Sequence, residues 1–222
     1  LGDAPMQELT TPSMNTAIDH DTLTFFCFPV YGGRIPKPMY DRMKIISGDK
    51  TPCVPVAVFG NRAVDDALLE MSELAGKCGF VTVAGCEMVA PHSIDPQFGA
   101  GRPDEKDVAQ LKSFLTSLMS RENLRDVPMP GSHDYKPYKG LPLYPSSGIH
   151  CSGCGTCSAE CPAGAIDQGD PRKPDKTKCI SCMRCITVCP FGARSVPKAA
   201  QLAVSAALLK MCAGRKSPSF YL

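Results

Sequence analysis

CSGCGTCSAECP, residues 151–162, and CISCMRCITVCP, residues 179–190, carry one pattern twice: Cys-x2-Cys-x2-Cys-x3-Cys-Pro. The repetition runs past the cysteines, since CPAGAI at 161–166 matches CPFGAR at 189–194. It is therefore an internal duplication. Thiolates at i, i+3 and i+6 of a tight loop can each take a different corner of one iron–sulfur cubane. The cysteine of the x3-Cys-Pro step turns away and ligates the other cluster. One 4Fe–4S cluster is thus expected on Cys151, Cys154, Cys157 and Cys189, and a second on Cys179, Cys182, Cys185 and Cys161. Pro162 and Pro190 lack a competing N–H and redirect the chain. Shared ligation of this kind puts two clusters side by side, close enough to pass an electron. Zinc also uses four thiolates, but its sites usually present two separated CxxC pairs rather than three cysteines in step followed by Cys-Pro.

The residues around the repeat fit a metal-held unit. Residues 150–196 are short and poor in large apolar groups, so they cannot build an adequate core unaided. The remaining five of the chain's 13 cysteines, Cys27, Cys53, Cys78, Cys86 and Cys212, fall in expected strands and helices and read as small hydrophobes. His150 reads as a linker histidine, because the ligand set is complete without it, and His20, His92 and His133 have no partner motif. Arg172, Lys173, Lys176, Lys178, Arg184 and Arg194 surround the motifs. They either raise a reduction potential, face an acidic partner, or form an ordinary solvated surface.

Charge gives no support to a nucleic-acid partner: 24 Lys+Arg against 22 Asp+Glu leave a formal +2 with no block of like charge. Two cubanes at the 2+ level, each about −2 with its four thiolates, bring that to about −2. LGDAPMQELT, residues 1–10, has neither a basic n-region nor an apolar h-region. The longest apolar stretch, 199–211, contains Gln201 and Lys210 and falls short of a bilayer span. The expectation is a soluble, cytoplasmic protein in a reducing compartment, with no membrane partner.

Upstream, residues 1–125 alternate strand-like and helix-like segments. Residues 22–30 (TLTFFCFPV), 54–59 and 80–85 are expected as strands, the first buried on both faces. Helices are expected over 36–47, 65–77 and 105–121, the last with Val108, Leu111, Leu115 and Leu118 along one face. That order gives an α/β fold with a parallel sheet, whose ligand sits outside the carboxyl ends of the strands. The loops Val30, Tyr31, Gly32, Gly33, Arg34 and Gly60, Asn61, Arg62, Ala63 lie there, and Tyr31 and Arg62 could contact a planar cofactor. Residues 126–149 hold five prolines without periodicity and read as a surface linker; 197–222 read as a helix and a short tail.

Taken together, these residues resemble a family that fuses a flavodoxin-like domain to a bacterial-type two-cluster ferredoxin, found mostly in anaerobes. FCFPVYGGRIPKPM (26–39), VAVFGNRAVDDALLE (56–70) and GFVTVAGCEMVAPHSI (79–94) resemble its third, fourth and fifth strand segments. GRPDEKD (101–107), the cysteine repeat and KSPSFYL (216–222) also match. The resemblance implies an electron-transfer flavoprotein, with FMN flanked by Val30–Arg34 on one side and Gly60–Ala63 on the other, acting with redox partner proteins. It also implies a first strand and a phosphate-wrapping loop that nothing before Thr22 supplies. Residues 1–21 read as the second strand and its exit, and about 30–40 further residues, one strand–loop–helix, are expected upstream. FMN binding would then belong to the full-length protein. A plain ferredoxin with a flavin-free docking domain is the alternative. A flavin-dependent reductase fed by the clusters is a further one, although no acid–base or nucleophile–base pair is visible for it.

Overall fold

The structure, a computed structural model, describes residues 5–6, 16–138 and 140–222. Its strands are β1 (Ala17–Ile18), β2 (Thr24–Pro29), β3 (Ser47–Gly48), β4 (Thr51–Phe59), β5 (Phe80–Thr82), β6 (Gly85–Val89), β7 (Ser146–Ser147), β8 (Arg194–Ser195) and β9 (Ser219–Tyr221). The helices are α1 (Lys37–Met43), α2 (Ala67–Lys77), α3 (Glu105–Met119), α4 (Thr156–Ala159), α5 (Arg184–Thr187) and α6 (Lys198–Met211). Most of the expected second strand over 1–21 lies outside the described residues; only β1, paired in parallel with β3, falls within them.

A mixed sheet forms the larger part, in the order β2-β4-β6-β9, with β5 also on β4. β2, β5 and β6 run parallel to β4, and β9 runs antiparallel to β6. One face carries Phe26, Phe28, Cys53, Ala57 and Phe59 against Met43 of α1 and Leu68, Met71 and Leu74 of α2. The other carries Val54, Cys86 and Met88 against Phe114 and Leu118 of α3. Helices therefore cover both faces, as the strand–helix alternation requires.

Three details depart from the sequence reading. β2 buries Phe26 and Phe28 on one face, whereas on the other Phe25 is half-buried against the second core and Cys27 is exposed, so among the described residues that face is incompletely covered. The third strand is interrupted and longer than expected: β5 pairs with Thr51–Cys53 and β6 with Val56–Phe59. The break lies opposite Val54 and Pro55, where proline has no N–H to hold a ladder. Finally, the tail is not free. Phe220 lies opposite Cys86, and its ring stacks on Phe114 at 5.0 Å between centroids.

The linker is pinned along its course. Val127 donates to the Thr82 carbonyl at 2.8 Å, Met129 is buried beside Gly85, and Tyr135 Oη donates to Glu73 at 2.6 Å. Ile94, Leu143, Met183 and Val196 form a small core that joins the sheet region, the linker and the cysteine-rich part. No helix among the described residues is long and apolar enough to cross a membrane.

Candidate metal centre

The internal repeat is visible in the backbone before any side chain is considered. Gly153 and Ser181, Gly155 and Met183, and Gly164 and Gly192 are equivalent pairs, and all six have positive φ between 55° and 77°. The same left-handed turns thus fold both copies, although two of the six positions, both in the second copy, carry side chains. Met183 accepts that strain, of order 1–2 kcal/mol, because its side chain is 5% exposed in the small core. After each Cys-Pro, a backbone amide returns to the preceding sulfur: Ala165 N–H to Cys161 Sγ and Ala193 N–H to Cys189 Sγ, both 3.3 Å.

The eight repeat cysteines ring two cavities. Cys151, Cys154, Cys157 and Cys189 line one, with Phe191 and Arg194. Cys161, Cys179, Cys182 and Cys185 line the other, with Ile166 and Met183. All 13 cysteines are described, and none is in a disulfide. Among the described residues no three His, Cys, Asp or Glu side chains converge as a single-ion site. Two quartets of soft thiol donors around separate cavities, with amides already aimed at two of the sulfurs, fit polynuclear iron–sulfur cores.

The two cavities differ in environment. Hydrogen bonds from the Gly153 amide and Ser147 hold the Cys151 thiol below its ordinary value, and the Thr156 hydroxyl does the same for Cys154, which is exposed. Burial pushes Cys179 and Cys185 up, and Cys182 up to about 11. The first cavity is the solvent-side one. The second faces the sheet: burial and the nearby Cys182 both raise Tyr31, in the loop after β2, and Tyr138 of the linker.

The strand-end loops meet each other, since a Cβ on Gly33 would overlap Asp65. Several of their side chains already have partners. Arg34 Nε donates to Glu70 at 2.8 Å and its guanidinium lies 4.7 Å from the Tyr135 ring centre; Arg62 pairs with Asp65. Asn61 is buried, its amide donating to the Cys212 and Gly214 carbonyls, both at 2.8 Å, while its carbonyl accepts from Lys216 N–H. Val30, Tyr31, Gly32, Gly60 and Ala63 follow the ends of β2 and β4, with Gly60 packed against His92. No phosphate-wrapping loop is present among the described residues, so these do not make up a site for the group that the resemblance implies. Sequence reasoning missed the structural use of Asn61, and also Ser147 and Tyr138. Only Arg194 carried a signal, an arginine where the first copy has Ile166.

The 4Fe–4S dicluster domain family matches residues 150–194. AegA of Escherichia coli (strain K12), named as an oxidoreductase, is 35% identical over 78 residues, 32% of this chain and 12% of that protein. A component of the ion-translocating oxidoreductase complex of Methanosarcina acetivorans is 38% identical over 60 residues, 27% of this chain and 21% of that protein. Protein RdxB of Cereibacter sphaeroides is 48% identical over 31 residues, 14% of this chain and 6% of that protein. The chain thus spans about a fifth or less of the length of these curated relatives. No solved structure matches it. A 4Fe–4S ferredoxin-type domain beside a mixed parallel sheet with helices is what sequence, fold and comparisons jointly support, and its chemistry is iron–sulfur electron transfer.

Proposed function

We propose that this chain carries single electrons through two 4Fe–4S clusters, one on Cys151, Cys154, Cys157 and Cys189 and one on Cys179, Cys182, Cys185 and Cys161. The observation that carries the reading is the pair of adjacent four-cysteine cavities. When bound, each cluster supplies a delocalised one-electron couple. The chain's own work is to hold the thiolates and donate amides to Cys161 and Cys189. The clusters exchange electrons with cytoplasmic redox partner proteins, and the exposed Arg172, Lys173, Lys176 and Lys178 beside the repeat favour an acidic partner surface. Iron and sulfide counts with an absorption spectrum, on material made without oxygen, test this. About eight irons per chain and broad sulfur-to-iron charge-transfer absorbance are expected; zinc, or far fewer irons, would overturn it.

A second reading adds FMN in the full-length protein, as in the flavodoxin-like family that the sequence resembles. It is favoured by one observation: Tyr31, in a loop expected to flank the ring, neighbours Cys182 of the inner cavity. An electron leaving that cluster would have the strand-end loop beside it. Full-length protein that showed two clusters and no flavin absorbance would instead support a ferredoxin whose sheet domain docks partners.

A further inference from the structure

The cysteine-rich part buries a cation where its own repeat buries an aliphatic side chain. Ile166 and Arg194 occupy the same place in CPAGAI and CPFGAR, and they are 5% and 3% exposed. The other five cations around the repeat, Arg172, Lys173, Lys176, Lys178 and Arg184, are less buried, where solvent and salt screen them. Of these six, only Arg194 sits in the low-dielectric interior. Its partners are neutral: Nη2 donates to the Pro145 carbonyl at 2.8 Å, and Nη1 to Ser147 Oγ at 3.0 Å, to the Pro171 carbonyl and to Cys157 Sγ at 3.5 Å. Nε is buried with no hydrogen-bond partner, and no carboxylate pairs with the guanidinium among the described residues. A buried guanidinium without a counter-charge is strongly disfavoured.

The missing counter-charge lies on both sides. Cys157 belongs to the outer quartet, whose cavity Arg194 lines, and the charge of the guanidinium also reaches Cys179 and Cys185 of the inner quartet. With clusters bound, each quartet becomes four thiolates around an iron–sulfide core of net charge about −2. We propose that Arg194 is a positioning residue shared by both clusters, compensating their charge from between them and raising the two reduction potentials together. The physical reason is that adding an electron makes a cluster more negative, so a fixed buried cation stabilises the reduced state more than the oxidised one. This rests on the two-cluster reading above.

The same contacts would also serve a purely structural clamp between the linker and the Pro171 loop, and the test separates the two roles. Wild type, Arg194→Lys, Arg194→Gln and Arg194→Met are reconstituted with iron and sulfide, and potentials are read by film voltammetry only on material holding about eight irons. A wild-type iron count that fails refutes the two-cluster reading, independently of Arg194. The neutral Gln and Met variants should shift both reduction equilibria about tenfold toward the oxidised state, about 59 mV more negative for each one-electron couple. The Lys variant keeps the charge but not the planar fork, and should restore most of the potential. Unchanged potentials in a neutral variant, or a shift in one cluster only, would overturn the proposal. If neither neutral variant assembles while Lys does, charge itself is required and the proposal stands. If Lys fails with them, Arg194 is a clamp and it falls.

Discussion

Cys161 follows Cys157 by four residues, yet the two sulfurs line different cavities. The helical turn α4 and the proline after it carry the chain away from one quartet and into the other. The consequence is specific: Cys161→Ala should damage the cluster built mainly by Cys179, Cys182 and Cys185, leaving about four irons. EPR of the reduced variant reads this, and loss of the signal tied to Cys151, Cys154 and Cys157 would refute the crossed ligand set. The same scale explains Met183. A methionine at a left-handed position contradicts local preference, and nothing in the second repeat advertises it. Contact with Ile94, Leu143 and Val196 is what holds it there.

At the scale of elements, the C-terminal segment is the feature the sequence least prepares for. Arg102 Nη2 donates to Asp107 at 2.6 Å, Arg102 Nη1 to the Lys216 carbonyl at 3.0 Å, and Arg215 to Asp107 at 3.0 Å. Asp104 caps α3 and reciprocates with Asp107 in a capping box. GRPDEKD and KSPSFYL, far apart in the chain, are thus one structure, and β9 covers what would otherwise be the free edge of β6. Asp107 is fully buried and bonded to Arg102, which holds its carboxyl below the ordinary value of 3.8. Its contribution is therefore present above that value and lost as pH falls through the lower folded one. Asp107→Asn should destabilise the sheet region by about 3 kcal/mol at neutral pH and flatten the acid limb of the stability curve. Urea unfolding of the iron-free chain in a pH series measures both. Phe220→Ala should cost about 2 kcal/mol through lost burial on Phe114, with protease sensitivity appearing at the tail first.

Over the whole molecule, two kinds of stabilisation are joined. The sheet region has two apolar layers of its own, whereas residues 150–196 contribute few large buried side chains and are tied to the sheet through Ile94, Leu143, Met183 and Val196. Removing iron and sulfide should therefore loosen one part and spare the other. Hydrogen exchange should show residues 150–196 losing protection while β4 and β6 keep theirs. Equal loss in both would mean that the sheet depends on the clusters as well. The two quartets differ in setting: Cys154 of the one is exposed, whereas Cys182 of the other lies near Tyr31 and Tyr138.

Cysteine spacing alone was enough to establish the iron–sulfur character, because the ligand geometry of a cubane is written in a handful of adjacent residues. The strand–helix alternation likewise announced an α/β sheet, because Phe26, Phe28, Leu68 and Met71 are local signs of burial. The split of the third strand, the docking of the tail and the occupation of Asn61 were not legible. Each depends on a partner distant in sequence: Pro55 against residues 83–84, Phe220 against Cys86, and Asn61 against Cys212 and Gly214. Arg194 lies between these cases. Its substitution for Ile166 was visible in the repeat, but whether the cation faced water or the interior was decided only when the chain closed around it.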